Sequence, residues 1–213
     1  VRTSTNNYSL VWVGTATESN YSVVPSLGTL EVKKYTGQIT VTTTGGTFTY
    51  DGQAHGATVK VSALPAGYTL EEAKSSASVT DANETAEVAT CDNLVIRNAA
   101  GTDVTGRLNV KKVDGSIKVN KATLTVTTFN SEKVYDGEAL ISAGSITGFV
   151  NDETATFAIT GSQTDVGTSD NTYSITWDGT AKEANYSIDA TIGKLTVKES
   201  ENEIVVTTTG GTF

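Results

Sequence analysis

An all-β array of small tandem domains is the fold class this sequence predicts. Three observations predict it. A segment of the chain returns at a fixed interval, alternating Thr and Val runs fill each return, and Asp-Gly or Gly-Gly pairs punctuate the runs.

The interval is read from Thr43-Thr44-Gly45-Gly46-Thr47-Phe48, which recurs as Thr208-Thr209-Gly210-Gly211-Thr212-Phe213. Positions 1–48 align with positions 166–213 without a gap. Tyr8, Trp12, Asn20, Tyr21, Gly28, Leu30 and Val32 fall on Tyr173, Trp177, Asn185, Tyr186, Gly193, Leu195 and Val197. A weaker period lies inside this one. The segment 47–52, ending in Tyr50-Asp51-Gly52, recurs as 132–137, ending in Tyr135-Asp136-Gly137. Ile39-Thr40-Val41 likewise returns as Leu124-Thr125-Val126. The large period therefore splits into two unequal steps, the first longer than the second. The expected organisation is the C-terminal half of a short-type unit (1–36), a complete long-type unit (37–121), a complete short-type unit (122–202) and the first strand of a further long-type unit (203–213). Such a pattern reads as a window on a longer array, whose neighbours stack or string together.

Each element follows from local chemistry. Residues 8–12 alternate, with Tyr8, Leu10 and Trp12 on one face. Their copies Tyr173, Ile175 and Trp177 keep that face, while the opposite face changes freely. This is the signature of a half-buried strand. The remaining strands are rich in Thr and Val, whose stiff branched side chains suit a pleated surface. Asp51-Gly52, Asp114-Gly115, Asp136-Gly137 and Asp178-Gly179 supply turns. Residues 70–77 could be helical, but their counterpart 154–161 reads as strand, so strand is predicted for both. The extra length of the long unit falls around Arg97-Asn98-Ala99-Ala100-Gly101, which predicts a longer hairpin tip there. The core predicted for the short unit is Val126, Tyr135, Phe149, Phe157, Tyr173, Ile175, Trp177, Tyr186, Ile188, Leu195 and Val197. The charged stretch 198–203 is expected to act as a linker that bends more readily than a rigid spacer.

Composition narrows the function. The 213 residues carry a net charge of −9, which disfavours binding to phosphate backbones. No apolar run is long enough to span a bilayer as a helix. One cysteine excludes an intramolecular disulfide, and one histidine excludes a multi-histidine zinc site.

The strand, the Tyr-Asp-Gly turn, the run 160–175 (Thr-Gly-Ser-Gln-Thr-Asp-Val-Gly-Thr-Ser-Asp-Asn-Thr-Tyr-Ser-Ile), then Asn185-Tyr186-Ser187-Ile188 and Gly193-Lys194-Leu195-Thr196-Val197 together resemble the YDG/MBG-type repeat domains of bacterial surface proteins. The resemblance covers the whole chain and is strongest in the short unit. In the long unit the Asn-Tyr pair is replaced within Gly106-Arg107-Leu108, and the 162–167 run by 78–83. The resemblance implies small tandem antiparallel β domains, Ig-like sandwich or β-grasp-like, in an elongated array. It also implies a bacterial cell-surface-attached, extracellular setting, and no catalytic residues.

Candidate chemistry is sparse. A residue repeated in every unit reads as structural, whereas a catalytic group should be singular. His55 is singular and reads as an exposed loop residue after the Asp51-Gly52 turn. Cys91 is singular, lacks a neighbouring activator and reads as a small buried or half-buried strand residue. Asp81 to Glu84, Asn151 to Glu153 and Asp165 to Asn171 are oxygen-rich but match no calcium loop. Glu71 and Glu72 are adjacent and point opposite ways on a strand, unlike a glycosidase pair. Tyr50-Asp51-Gly52 and its copy read as a core tyrosine followed by a turn. The Thr40-Thr42-Thr44 and Thr123-Thr125-Thr127 ladders read as solvent faces. Asn7, Asn20, Asn83 and Asn185 sit in Asn-x-Ser/Thr sequons and read as turn residues. No catalytic, cofactor-binding or metal-binding residue and no cofactor is assigned. The expected function is a non-enzymatic stalk segment of a large adhesin-like surface or secreted protein, with neighbouring repeat units as partners. The alternatives are a glycan- or host-ligand-binding module and a filament subunit assembled by homotypic strand exchange. Neither nucleic acid nor membrane insertion is expected.

Overall fold

The computed structural model describes residues 2–33 and 35–211. The chain is almost entirely strand and loop. The helical elements among the described residues are three single 3-10 turns, Glu18–Asn20, Thr105–Arg107 and Glu183–Asn185.

Two strands precede the first complete repeat, β1 (Arg2–Thr5) and β2 (Thr29–Val32). Ten follow between positions 38 and 120. They are β3 (Gln38–Thr44), β4 (Gly46–Thr49), β5 (His55–Gly56), β6 (Thr58–Val61), β7 (Tyr68–Lys74), β8 (Ser78–Val79), β9 (Glu87–Ala89), β10 (Asn93–Asn98), β11 (Asn109–Val113) and β12 (Gly115–Asn120). Eight more lie between 122 and 198. They are β13 (Ala122–Thr128), β14 (Ser131–Val134), β15 (Gly144–Thr147), β16 (Thr156–Ile159), β17 (Gly167–Asp170), β18 (Tyr173–Thr176), β19 (Tyr186–Thr191) and β20 (Lys194–Lys198).

The same wiring appears in both sets. In the first, β3 lies between β11 and β6, β12 lies between β4 and β9, and β7 pairs with β10. In the second, β13 lies between β19 and β15, β20 lies between β14 and β17, and β16 pairs with β18. The short β5–β8 pairing has its counterpart in a single bridge from Leu140 to Gln163. Even the N-terminal strand pair keeps register. Thr5 faces Thr29 as Asp170 faces Lys194, and Arg2 faces Val32 as Gly167 faces Val197.

The expected all-antiparallel arrangement is modified. The β3–β11, β4–β12, β13–β19 and β14–β20 pairs are parallel. Each repeat opens with a strand that is interrupted by a tight turn (β3 then β4, β13 then β14). It closes with another such pair, which runs alongside in the same direction. Tight-turn hairpins can make only antiparallel neighbours, so a turn-based sequence reading misses these long-range parallel pairs.

Alternation sets the core. Along β3 the inward residues Ile39, Val41 and Thr43 are buried, whereas Thr40 and Thr42 are half-buried and Thr44 exposed on the other face. Ile39 and Val41 pack with Cys91, Ile96 and Val104. A second cluster joins Tyr50, Ala89, Ile117 and Val119 to Ala122, Leu124, Ala181 and Tyr186. Of the core predicted for 122–202, Val126, Tyr186, Leu195 and Val197 are buried, and Phe149, Phe157, Tyr173, Ile175 and Trp177 are half-buried. Ile188, on the edge strand β19, is 47% exposed. Tyr135 is 43% exposed, although its counterpart Tyr50 is 6% exposed.

Other expectations are corrected. Residues 8–12 form no strand, and Tyr8 and Leu10 are about half exposed. Their copy β18 is held as a strand by β16, and no equivalent of β16 lies beside them among the described residues. Residues 203–211 likewise form no strand, whereas β3 is flanked on both sides. His55 is not an exposed loop residue. It belongs to β5, and its ring stacks on Phe48 at 4.1 Å. Cys91 is fully buried as expected, but between β9 and β10 rather than in a strand. The segments around 70–77 and 154–161 are both strand, as β7 and β16. The loop at 98–101 is exposed at its tip, and Asn98 Oδ1 accepts from the amides of Ala100 and Thr102 to shape it.

Asn171 shows how polar groups pin this small core. It is fully buried, and its Nδ2 donates to Phe129 O at 3.0 Å and Ala143 O at 3.1 Å. These bonds tie the end of β17 to the loops around β13 and β15. Asn171→Ala should destabilise the 122–198 fold by about 2 kcal/mol, from the two lost bonds and the Phe129 carbonyl left without this donor, while Ala143 O keeps the Phe129 amide. Chemical denaturation checks this, and a cost near zero would refute the role.

Candidate functional site: the joint between the repeats

A single residue, Lys121, separates β12 from β13. The two complete repeats are nevertheless held together by side chains far apart in the sequence. Tyr186 is the centre. It opens β19, directly after the 3-10 turn Glu183–Asn185, and its ring faces the preceding repeat. The ring stacks on Trp177 (centroids 6.1 Å, 16° between planes). Phe149 meets it edge-on at 5.6 Å, and Tyr50 of the preceding repeat meets it edge-on at 5.7 Å. Edge-to-face geometry places the positive rim of one ring on the negative face of another.

Glu153 gives this cluster its polar tie. Tyr50 Oη donates to Glu153 Oε1 at 2.5 Å, and Tyr186 Oη donates to Glu153 Oε2 at 2.7 Å. Tyr186 Oη also accepts the Val150 amide at 3.0 Å. Burial, reinforced by the bond to the Glu153 carboxylate, pushes both phenols up to about 12.

A second set of bonds flanks the rings. Asn185 is fully buried. Its Oδ1 accepts the Ala82 amide at 2.9 Å, and its Nδ2 donates to Asp81 Oδ1 at 2.9 Å. Lys182 Nζ reaches Asp81 Oδ2 at 2.7 Å. Lys182, followed by Asn185, holds the Asp81 carboxyl below the usual aspartate range. On the other flank Asn151 Nδ2 donates to Asp51 O at 3.0 Å. Asn151 and Asp152 adopt left-handed backbone (φ 49° and 56°) to present this turn. Gly52 meets it with φ 74°, and a Cβ there would lie 2.2 Å from Asn151 Nδ2. The positive φ favours glycine, and a side chain there would displace Asn151 from its bond to Asp51 O.

Several residues singled out in the sequence thus come together: Tyr50-Asp51-Gly52, Asp81 and Asn185-Tyr186. The Asp-Gly turn works as a contact surface, not only as a change of direction. The sequence reading misses Glu153, Lys182 and Asn151 as partners. Glu153 is singular and unpaired by spacing, so no local pattern marks it. Asn185 and Tyr186 are visible as a repeated pair, and the earlier copy Asn20-Tyr21 keeps part of the geometry. Trp12 and Tyr21 stack at 5.3 Å, but Tyr21 is 59% exposed.

The other candidates lie apart. His55 Nε2 pairs with Asp51 Oδ1 at 3.0 Å. Glu71 pairs with Arg97, while Glu72 pairs with Lys74, so the two glutamates serve separate ion pairs. Asn83 locks its own loop by accepting the Val119 amide at 2.7 Å. Among the described residues no three His, Cys, Asp or Glu side chains are grouped to hold a metal.

The fold and the joint define a class: tandem all-β modules docked face to face, each built on the same wiring of strands. The comparison with families narrows it. The family model for the MBG domain (YGX type) matches residues 124–196, which span most of the second complete repeat. MBG domains are a non-enzymatic type typical of surface proteins. No curated protein and no solved structure matches the chain.

Two outcomes test the joint. Glu153→Ala strands two phenol hydroxyls in the joint and should destabilise the docked pair by about 2–4 kcal/mol, whereas Tyr50→Phe should cost about 1–2 kcal/mol. Equilibrium unfolding of the two variants measures both, and equal small costs would contradict the shared-carboxylate arrangement. The tyrosines also predict a pH limit. Their folded pKa lies above the unfolded value near 10, so their contribution is complete below about pH 10 and lost as pH rises toward about 12. Titration of phenolate absorbance should show a late-ionising component from Tyr50 and Tyr186 that shrinks in Tyr50→Phe.

Proposed function

We propose that this chain is a non-catalytic stalk segment of a large bacterial surface or secreted adhesin-like protein. Its units are 1–36, 37–121, 122–202 and 203–213, and its setting is extracellular. Its work is to hold a distant part of the protein at a defined distance and direction. One observation carries the reading: Tyr50, Tyr186 and Glu153 join consecutive repeats across the single residue Lys121. A catalytic module needs a cleft with converging reactive groups. A spacer needs joints that resist bending, and the most specific chemistry in this chain lies at a joint. The MBG match at 124–196 agrees with a surface module. The net charge of −9 suits a long exposed chain kept soluble by self-repulsion.

Small-angle scattering tests the proposal. A compact chain of this length would have a radius of gyration of about 17 Å. The expected value is well above that, and it should change in Glu153→Ala as the joint loosens. A value at the compact limit would overturn the stalk reading.

A further inference from the structure

The joint described above uses one face of the preceding repeat: Tyr50, Gly52, Asp81 and Ala82. The following repeat carries the same face. The strand registers superimpose Tyr50 on Tyr135, Gly52 on Gly137, Asp81 on Asp165 and Ala82 on Val166. Tyr50 N donates to Asn120 O, and Tyr135 N donates to Lys198 O, at the same place in the wiring. Here, however, the face is bare. Tyr135 is 43% and Val166 49% exposed. Gly137 has the same left-handed backbone as Gly52 (φ 84°), but a Cβ there would meet nothing within 4 Å. Asp165 has no ion-pair partner among the described residues, whereas Asp81 is held by Lys182.

The opposite face of the joint also has a second version. In the short repeat it is built by Phe149, Asn151, Glu153, Lys182, Asn185 and Tyr186. The long repeat holds the same backbone with different side chains. The Tyr68 amide donates to Pro65 O as the Glu153 amide donates to Val150 O. Gly67 has positive φ (81°) where Asp152 does. Leu108 follows the turn Thr105–Arg107 as Tyr186 follows Glu183–Asn185. Thus Tyr68 stands for Glu153, Leu108 for Tyr186 and Arg107 for Asn185. Arg107 is exposed, at the position from which Asn185 reaches Asp81.

We infer that the Tyr135–Gly137 and Asp165–Val166 face of the short repeat is a docking surface whose partner is the Tyr68, Arg107 and Leu108 face of a long repeat. This rests on the stalk reading. The charges are complementary, since Arg107 supplies the cation that Asp165 lacks. A guanidinium suits a carboxylate through paired N–H donors. Leu108 and Tyr68 supply the apolar cover for Tyr135 and Val166. The two joints of the array therefore differ in kind. The long-to-short joint is a phenol–carboxylate cluster, and the short-to-long joint is an Arg–Asp pair over an apolar contact. A short repeat would bring Lys182 and Asn185 to this aspartate, as at Asp81, whereas a long repeat brings the guanidinium of Arg107.

The experiment extends the full chain at Phe213 by a second copy of the segment 49–121. The segment 203–213 already repeats 38–48, so the extension completes a long repeat. Hydroxyl-radical footprinting then compares Tyr135 with Tyr50 in one molecule. In the unextended chain Tyr135 should label much faster than Tyr50. In the extended chain its labelling should fall by about tenfold, as expected when docking is favoured by a decade. Asp165→Arg should restore fast labelling, and adding Arg→Asp at the second copy of Arg107 should suppress it again. Trp177 emission, unchanged throughout, reports that the short repeat remains folded. Fast labelling of Tyr135 in the extended chain, or no rescue by the charge swap, overturns the inference. Tyr50 separates the two readings: if it stays protected, the stalk reading stands and only the second joint falls, and if it too labels fast, the docked-repeat reading itself fails.

Discussion

The structure depends on one side chain more than on any other, Tyr186. It closes the aromatic cluster of its own repeat by stacking on Trp177 and meeting Phe149. The same ring receives Tyr50 from the neighbouring repeat. Intra-repeat packing and inter-repeat docking therefore share a residue. Removing Tyr50 from this cover re-exposes an aromatic ring, a loss of roughly 1.5–3 kcal/mol in burial alone. Glu153 adds direction to that non-directional gain. Its two oxygens fix two hydroxyls from different repeats, so the rings can pack in one relative orientation only.

This explains how a one-residue connection produces a defined joint. Lys121 by itself limits distance but not angle. Angle is set by three separated ties: Asp51 with Asn151 on one side, Tyr50 and Tyr186 with Glu153 in the middle, and Asp81 with Lys182 and Asn185 on the other. Ties at three points resist hinge and twist together. Asp81 and Lys182 are both well exposed, so that pair contributes little energy. The fully buried Asn185 and the tyrosine cluster carry most of the restraint. Charged, glycine-free connections predict soft linkers when judged locally. At Lys121 that judgement leaves out side chains supplied from the far end of the following repeat.

The parts of the fold that were legible are those with local causes. The alternation of Ile39, Val41 and Thr43 against Thr40 and Thr42 is a period-two signal, and the structure buries that face. The long-period echo carries through to strand register, down to Thr5–Thr29 matching Asp170–Lys194. The parallel pairs were not legible, because no turn announces them. At the site, repetition misleads in one respect. Tyr50 and Tyr135 share a motif and both read as core, yet burial depends on what packs over the motif and not on the motif itself. Singularity misleads as well. In a repetitive chain it suggests catalysis, but the singular Glu153 is the tie of a joint. A singular residue can equally mark where one copy must fit a different neighbour.

That last point bears on why the repeats are unequal. If every repeat carried the same two faces, any order of units would dock, and a misfolding chain could pair non-adjacent repeats. Related tandem domains are prone to such misassembly. Here the faces diverge while the backbone that presents them does not. Tyr68 and Arg107 occupy the positions of Glu153 and Asn185 on equivalent turns. A short repeat placed after a short repeat would set Asn185 and Lys182 against Asp165, but would bring Glu153 beside a Tyr135 flanked by the larger Val166 in place of Ala82. A side-chain difference of this kind on a shared face is the sort that can separate one neighbour from another. The unequal period thus accompanies two different sets of side chains on one shared backbone.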